Sequence, residues 1–169
     1  MLKARYRCPA ALAAFADLYR PDAVGDGKPV RIPELRVVEI GAQDALIDRV
    51  RLEVTRALRD GARPGDIAIL SLRGQSKSQL LKERTLGDVK VVRADAEGAA
   101  DNVIADTFLR FKGLERPYVI VTELAAAEKY DVRMHVALTR ATLRAVVVAT
   151  KAEVESDERL LRVVGAVGA

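Results

Sequence analysis

The chain reads as an α/β protein built on a mainly parallel sheet with helices on both faces. Three observations predict this class. Ile67 to Leu70, Val119 to Val121 and Ala145 to Val148 are short apolar runs of the kind found in strands buried on both sides. Segments of helical spacing lie between such runs, and Gln43 to Asp60 is the clearest of them. Strand and helix signals alternate along the chain, which calls for crossover connections and a sheet covered on both faces.

The elements follow in order. Lys3, Arg5 and Arg7 precede Pro9, which suits a first helical position. Leu12, Phe15, Leu18 and Tyr19 then recur at helical spacing, so a short helix should end before Pro21. Asp22 to Pro33 is a loop, rich in glycine and proline. Arg36 to Ile40 reads as a strand. From Gln43 to Asp60, Leu46, Val50, Val54 and Leu58 form one stripe, with Asp48, Arg49, Arg56 and Arg59 off it. Gly61 ends that helix, and Pro64-Gly65 turn the chain into a buried strand, Asp66 to Ser71.

A helix is expected from Ser76 to Thr85, then a turn at Gly87-Asp88 and a short strand, Val89 to Val92. Asp95 to Asp101 is a polar loop before a strand from Asn102 to Thr107. Pro117 to Glu123 is the next strand, and Ala125 to Tyr130 a linker or short helix. Val132 to Ala141 should be helical, Ala145 to Thr150 a strand and Glu153 to Val164 a closing helix, with 165–169 a frayed tail.

Composition narrows the class further. With 169 residues the chain is expected to form a single domain, large enough to bury roughly two thirds of its unfolded surface. Half the residues are apolar and 31% charged, which fits a globular chain and excludes a disordered one. The net charge of +4 permits a polyanionic partner without requiring one. A lone cysteine, Cys8, rules out an internal disulfide, and a lone histidine, His135, leaves no cluster of zinc-site spacing. No apolar run reaches membrane-spanning length, and the first residues lack a signal-peptide core, so a cytoplasmic location without membrane contact is expected.

Chemistry concentrates in two stretches. Asp106 to Glu115 crowds Arg110, Lys112 and Glu115 around Gly113, directly ahead of the Val119-Ile120-Val121 strand. Val136-Ala137-Leu138-Thr139-Arg140-Ala141 lies just ahead of the next valine-rich strand. In doubly wound sheets ligands gather at the carboxyl ends of strands, and Arg73, Lys112 and Glu115 are expected together at that rim. Two glycine-lysine segments are decoys. Gly25-Asp26-Gly27-Lys28 and Gly74-Gln75-Ser76-Lys77-Ser78 lack the glycine spacing of a phosphate loop.

Together the two stretches resemble motifs V and VI of superfamily-one DNA helicases of the UvrD/Rep type. Thr107, Lys112, Gly113, Leu114 and Glu115 match the first motif and Val136 to Ala141 the second. Tyr6 and Arg7 are similar to motif IV, with Arg5 in place of its asparagine, and Asp66 to Leu80, including Arg73 and Gln75, resembles motif IVa.

The resemblance implies a RecA-like three-layer fold, the second motor domain of an ATP-dependent helicase or translocase. It implies that Arg140 and Arg7 reach the γ-phosphate as catalytic arginines, that Lys112 lies near the same phosphate, and that Gly113 and Glu115 border the ribose. Thr107, Leu109 and Arg73 would touch single-stranded DNA, although Leu109 stands where relatives carry histidine. No Walker A lysine or magnesium-binding Asp-Glu pair is present. ATP and Mg2+ would therefore be held mainly by an N-terminal RecA-like motor domain, and this chain would be inactive alone. The spacing between Leu80 and Asn102 leaves no room for the large inserted subdomain of many relatives. The alternative reading is a helicase-derived module kept for protein or nucleic-acid binding.

Overall fold

The computed structural model describes residues 8–42, 45–111, 113–125 and 129–167. The elements run α1 Ala10–Asp17, β1 Leu35–Ile40, α2 Leu46–Arg59, β2 Ile67–Ser71, β3 Thr85–Leu86 and β4 Val89–Val92. They continue with β5 Val103–Thr107, β6 Arg116–Thr122, α3 Tyr130–Leu138, β7 Ala141–Thr150, α4 Lys151–Glu155 and α5 Glu158–Val167. The strands form one sheet in the order β1-β7-β6-β2-β5-β4-β3. Every pairing is parallel except the β3–β4 hairpin. This is the expected α/β architecture of RecA-like type.

Alternation along the central strand divides the apolar residues between two cores. Ala68 and Leu70 of β2 join Leu12, Phe15, Phe111 and Met134 beneath α1 and α3. Ile67 and Ile69 point the other way, toward Leu46, Val50 and Val54 of α2. All five β2 residues are buried, which is why their sequence shows continuous hydrophobicity instead of alternation. Among the described residues, no helix is long and apolar enough to cross a membrane.

Three elements depart from the sequence expectation. No helix spans 76–85; only a 3-10 turn, Leu80–Lys82, forms there, and Thr85-Leu86 pairs with β4. The reason is a buried carboxylate. Glu123 accepts the Ser78 hydroxyl and, at 2.8 Å, the Gln79 amide, pinning the segment to the end of β6.

Strand β7 begins at Ala141, four residues before the expected start at Ala145. The Thr139 hydroxyl donates to the His135 and Val136 carbonyls and closes α3 early, and Ala141 pairs with Arg116. The last helical region is split in two. A reciprocal cap between Thr150 and Glu153 starts α4 at Lys151, the chain turns at Ser156-Asp157, and α5 continues to Val167, past the expected fraying point.

Asp157 is almost fully buried, and four donors converge on it. The Tyr19 and Tyr130 hydroxyls each donate to Oδ2 at 2.7 Å, while the Arg159 amide and Nε each reach Oδ1 at 3.0 Å. The Arg159 guanidinium also lies 3.9 Å from the Tyr19 ring centroid. Burial first, then the Asp157 charge, holds both tyrosine hydroxyls protonated well above their ordinary range. The cluster fastens α1, α3 and α5 into one layer. Asp157→Ala would strand two buried hydroxyls and take from Arg159 one of its two carboxylate partners, so urea denaturation should show a loss of roughly 2–4 kcal/mol. A loss under about 0.5 kcal/mol would mean that the layer does not depend on this carboxylate.

Candidate functional site

Strand direction decides where the motif residues lie. Both β5 and β6 run parallel to β2, one on each side of it. A chain leaving β5 at its carboxyl end must therefore return to the amino edge before it can enter β6. Residues 108–111 and 113–115 lie on that return, with Phe111 fully buried beneath the sheet. The Phe111 amide bonds the Thr107 carbonyl at 3.2 Å, and the Leu114 amide bonds the Phe111 carbonyl at 3.0 Å.

Glu115 thus stands immediately before β6, and Arg140 immediately before β7. The Arg116 amide donates to the Arg140 carbonyl at 3.1 Å and joins the two motif segments at the amino edge. The expectation that Arg73 and Glu115 share one rim is corrected, because Arg73 follows β2 at the opposite edge. Sequence order alone suggested that Glu115 follows β5; the parallel return carries it away. Arg7 and Lys112 lie outside the described residues.

At the amino edge, the close of α3 sets Arg140. Its Nη2 donates to the Thr139 hydroxyl at 3.4 Å, while its Nε is buried without a hydrogen-bond partner. Two nearby carboxylates in the sequence, Asp131 and Glu123, are engaged elsewhere. Asp131 pairs with Arg159 at 2.9 Å, and Glu123 sits at the far end of β6, holding Ser78 and Gln79. Arg140 forms no ion pair among the described residues.

Arg116, which the sequence reading missed, repeats the pattern. Its Nη1 donates to the Glu115 carbonyl at 2.7 Å, its guanidinium lies 5.8 Å from the Phe111 ring centroid, and its Nε is likewise buried and unpartnered. Two guanidinium groups with unmet donors on one edge form a setting ready to receive an anion. The signal available in the sequence was an arginine at the mouth of a strand, beside Glu115. Gly113 has φ +86, a left-handed value, and open space where a Cβ would stand, so glycine adopts this turn without strain.

Cys8 borders the same place, its thiol 4.0 Å from the Leu138 carbonyl. Burial pushes the thiol up to about 11, with Arg140 drawing it down and Glu115 pushing it up.

The carboxyl edge gathers a different set. Ser71 and Thr107 are register partners at the ends of β2 and β5, and Arg73 follows two residues after Ser71. Thr107 accepts the Arg110 amide at 3.3 Å on its hydroxyl. Leu109 is 64% exposed beside it. Arg133, absent from the sequence reading, reaches over from α3. It donates to the Leu72 carbonyl at 2.8 Å and lies 5.4 Å from the Phe108 ring centroid. Below this edge the buried Asp106 accepts the Ala94 and Thr107 amides at 3.0 and 2.7 Å. Glu123 closes the edge with a left-handed φ of +54, a strained value for a residue with a side chain. Among the described residues, no group of three or more His, Cys, Asp or Glu side chains is placed to hold a metal ion.

No family model matches the chain, and no curated protein does. Among solved structures, the C-terminal domain of a possible DNA helicase from Lactobacillus plantarum WCFS1 matches with a TM-score of 0.64. The match has 21% sequence identity and covers 86% of this chain and 87% of that one. At that identity the likeness shows a shared fold.

The thiol offers a test of the amino-edge geometry. With Cys8 raised to about 11, its thiolate fraction at pH 8 is small, and alkylation by iodoacetamide should run roughly a hundredfold slower than for an ordinary thiol. Reaction at the ordinary rate would show that Cys8 is not packed against Leu138 and Arg140.

Proposed function

We propose that the chain is the second motor domain of a UvrD/Rep-type superfamily-one DNA helicase or translocase. In this reading it completes a nucleotide pocket whose phosphate loop and magnesium ligands belong to a preceding RecA-like domain. The observation that carries the proposal is the convergence of Glu115 and Arg140 at one sheet edge, with the Arg140 Nε buried and unmet. The shared fold with a helicase C-terminal domain supports it.

The residues present fit ATP. The guanidinium of Arg140, joined by Arg7 in this proposal, would stabilise charge growing on the γ-phosphate oxygens, and Lys112 would add a cation beside them. Glu115 would accept hydrogen bonds from the ribose hydroxyls, and the open turn at Gly113 would let the backbone approach the nucleotide. ATP supplies the phosphoanhydride that is broken; this chain's part is to place fixed positive charge across from the other domain. Single-stranded DNA would run along the carboxyl edge, past Thr107, Leu109 and Arg73, where the Thr107 hydroxyl can donate to a phosphate oxygen. The cytoplasm would be the setting.

A second reading, a helicase-derived binding module without turnover, draws on Leu109. An exposed leucine at the DNA-facing edge packs on a partner but cannot hydrogen-bond to one.

Turnover tells the two apart. The 169-residue chain alone should not hydrolyse ATP, and robust hydrolysis by it would overturn the half-motor reading. Joined to its Walker-bearing motor domain, the protein should lose on the order of 10³-fold in ATPase rate on Arg140→Ala, with its thermal melt unchanged. Unaltered turnover in that variant would remove Arg140 from the mechanism.

A further inference from the structure

The missing 76–85 helix leaves a cleft on the α2 side of the sheet, beside β4 and β5. It holds about 640 Å³, with Leu81, Val91 and Ala105 among its apolar lining. Four cations line it, Lys82, Arg84, Lys90 and Arg93, against the single carboxylate of Glu83. Across the chain the balance is 28 cations to 24 carboxylates, so four to one is a local segregation of charge.

Three of these cations are also uncommitted, and the fourth, Arg93, is engaged with the Leu81 carbonyl and paired with Asp106. The side chains of Lys82, Arg84 and Lys90 make no hydrogen bond or ion pair among the described residues. Arg93 donates from Nη2 to the Leu81 carbonyl at 2.7 Å, but its Nη1 is buried without a hydrogen-bond partner, 4.0 Å from Asp106. Elsewhere on the surface, arginines such as Arg20, Arg51, Arg63 and Arg162 each have an acidic neighbour.

We infer that this cleft binds the backbone of a single-stranded nucleic acid, at a site separate from the Arg73–Thr107 edge. An apolar floor with a cationic rim suits sugars and bases below and phosphates above. The Gln75 amide, also in the lining, offers a donor and an acceptor to a base edge. A poly-glutamate peptide would satisfy the charges but offers no planar base to stack on the apolar floor. The assignment rests on this charge geometry and stands independently of the nucleotide pocket.

The test uses the 169-residue chain, a fluorescent oligothymidine of about 15 nucleotides, and the double variant Lys82→Gln, Lys90→Gln, both positions being exposed. The variant should melt like the parent and bind about tenfold more weakly at low salt. The slope of log K against log salt should shrink by about 1.4, or 0.7 for each lost phosphate contact. Unchanged affinity and slope, or no binding by the parent chain, would overturn the inference. Equal displacement by a poly-glutamate peptide would overturn the choice of nucleic acid. Arg73→Ala is the comparator. Weakening by that variant alone sinks the cleft and leaves the helicase reading standing; weakening by the lysine pair alone does the reverse for the DNA track.

Discussion

The parallel pairing of β6 with β7 is the constraint on which the rest depends. Parallel neighbours must begin at the same edge, so the segments that lead into them are brought side by side whatever their distance in sequence. The bond from the Arg116 amide to the Arg140 carbonyl is the first rung of that pairing. It sets two motif segments, one ending in Glu115 and one in Arg140, against each other. Neither the return from β5 nor α3 could place its carboxylate or arginine there alone. The strands supply the edge, and the buried Phe111, Met134 and Leu138 hold the connecting segments onto the sheet.

The same strands carry a second consequence. Strand β6 ends at the opposite edge in Thr122, followed by Glu123, whose carboxylate fixes the segment after Arg73. One strand therefore has polar machinery at both ends, an anion-ready pair of guanidiniums at its start and a strained acidic clamp at its finish. If the chain is the motor domain proposed above, a stiff element spanning the two edges is the part that would couple a nucleotide at one to a nucleic acid at the other. The Tyr19–Asp157–Tyr130 cluster ties together the helices that cover that strand.

Much of this was legible in the chain. The continuous apolar runs gave β2, β6 and most of β7, and the Leu46–Val50–Val54 stripe gave α2, because burial on two faces or on one leaves a plain pattern. The helix expected at 76–85 was not legible as a turn, since Glu123 holds it in that form from 45 residues away. The early start of β7 was hidden because its first residues lie at a half-exposed edge, without the valine run that marks its middle. For the candidate site, the motif stretches marked two segments that the sheet does bring together, but at the amino edge and not at the expected rim. Placing Glu115 at the carboxyl rim took its order after β5 as its position, and only the parallel return shows otherwise. Arg116 escaped notice because its role comes from burial of one nitrogen, which no spacing reveals.

The most direct measurement is a crystal structure of this chain with the phosphate-loop domain proposed to precede it and a non-hydrolysable ATP analogue. The account predicts the γ-phosphate at the amino edge of β6 and β7, with the Arg140 guanidinium within hydrogen-bonding distance, about 3 Å. A nucleotide seated at the carboxyl edge, or an Arg140 turned from the phosphate into a pairing within its own domain, would contradict it.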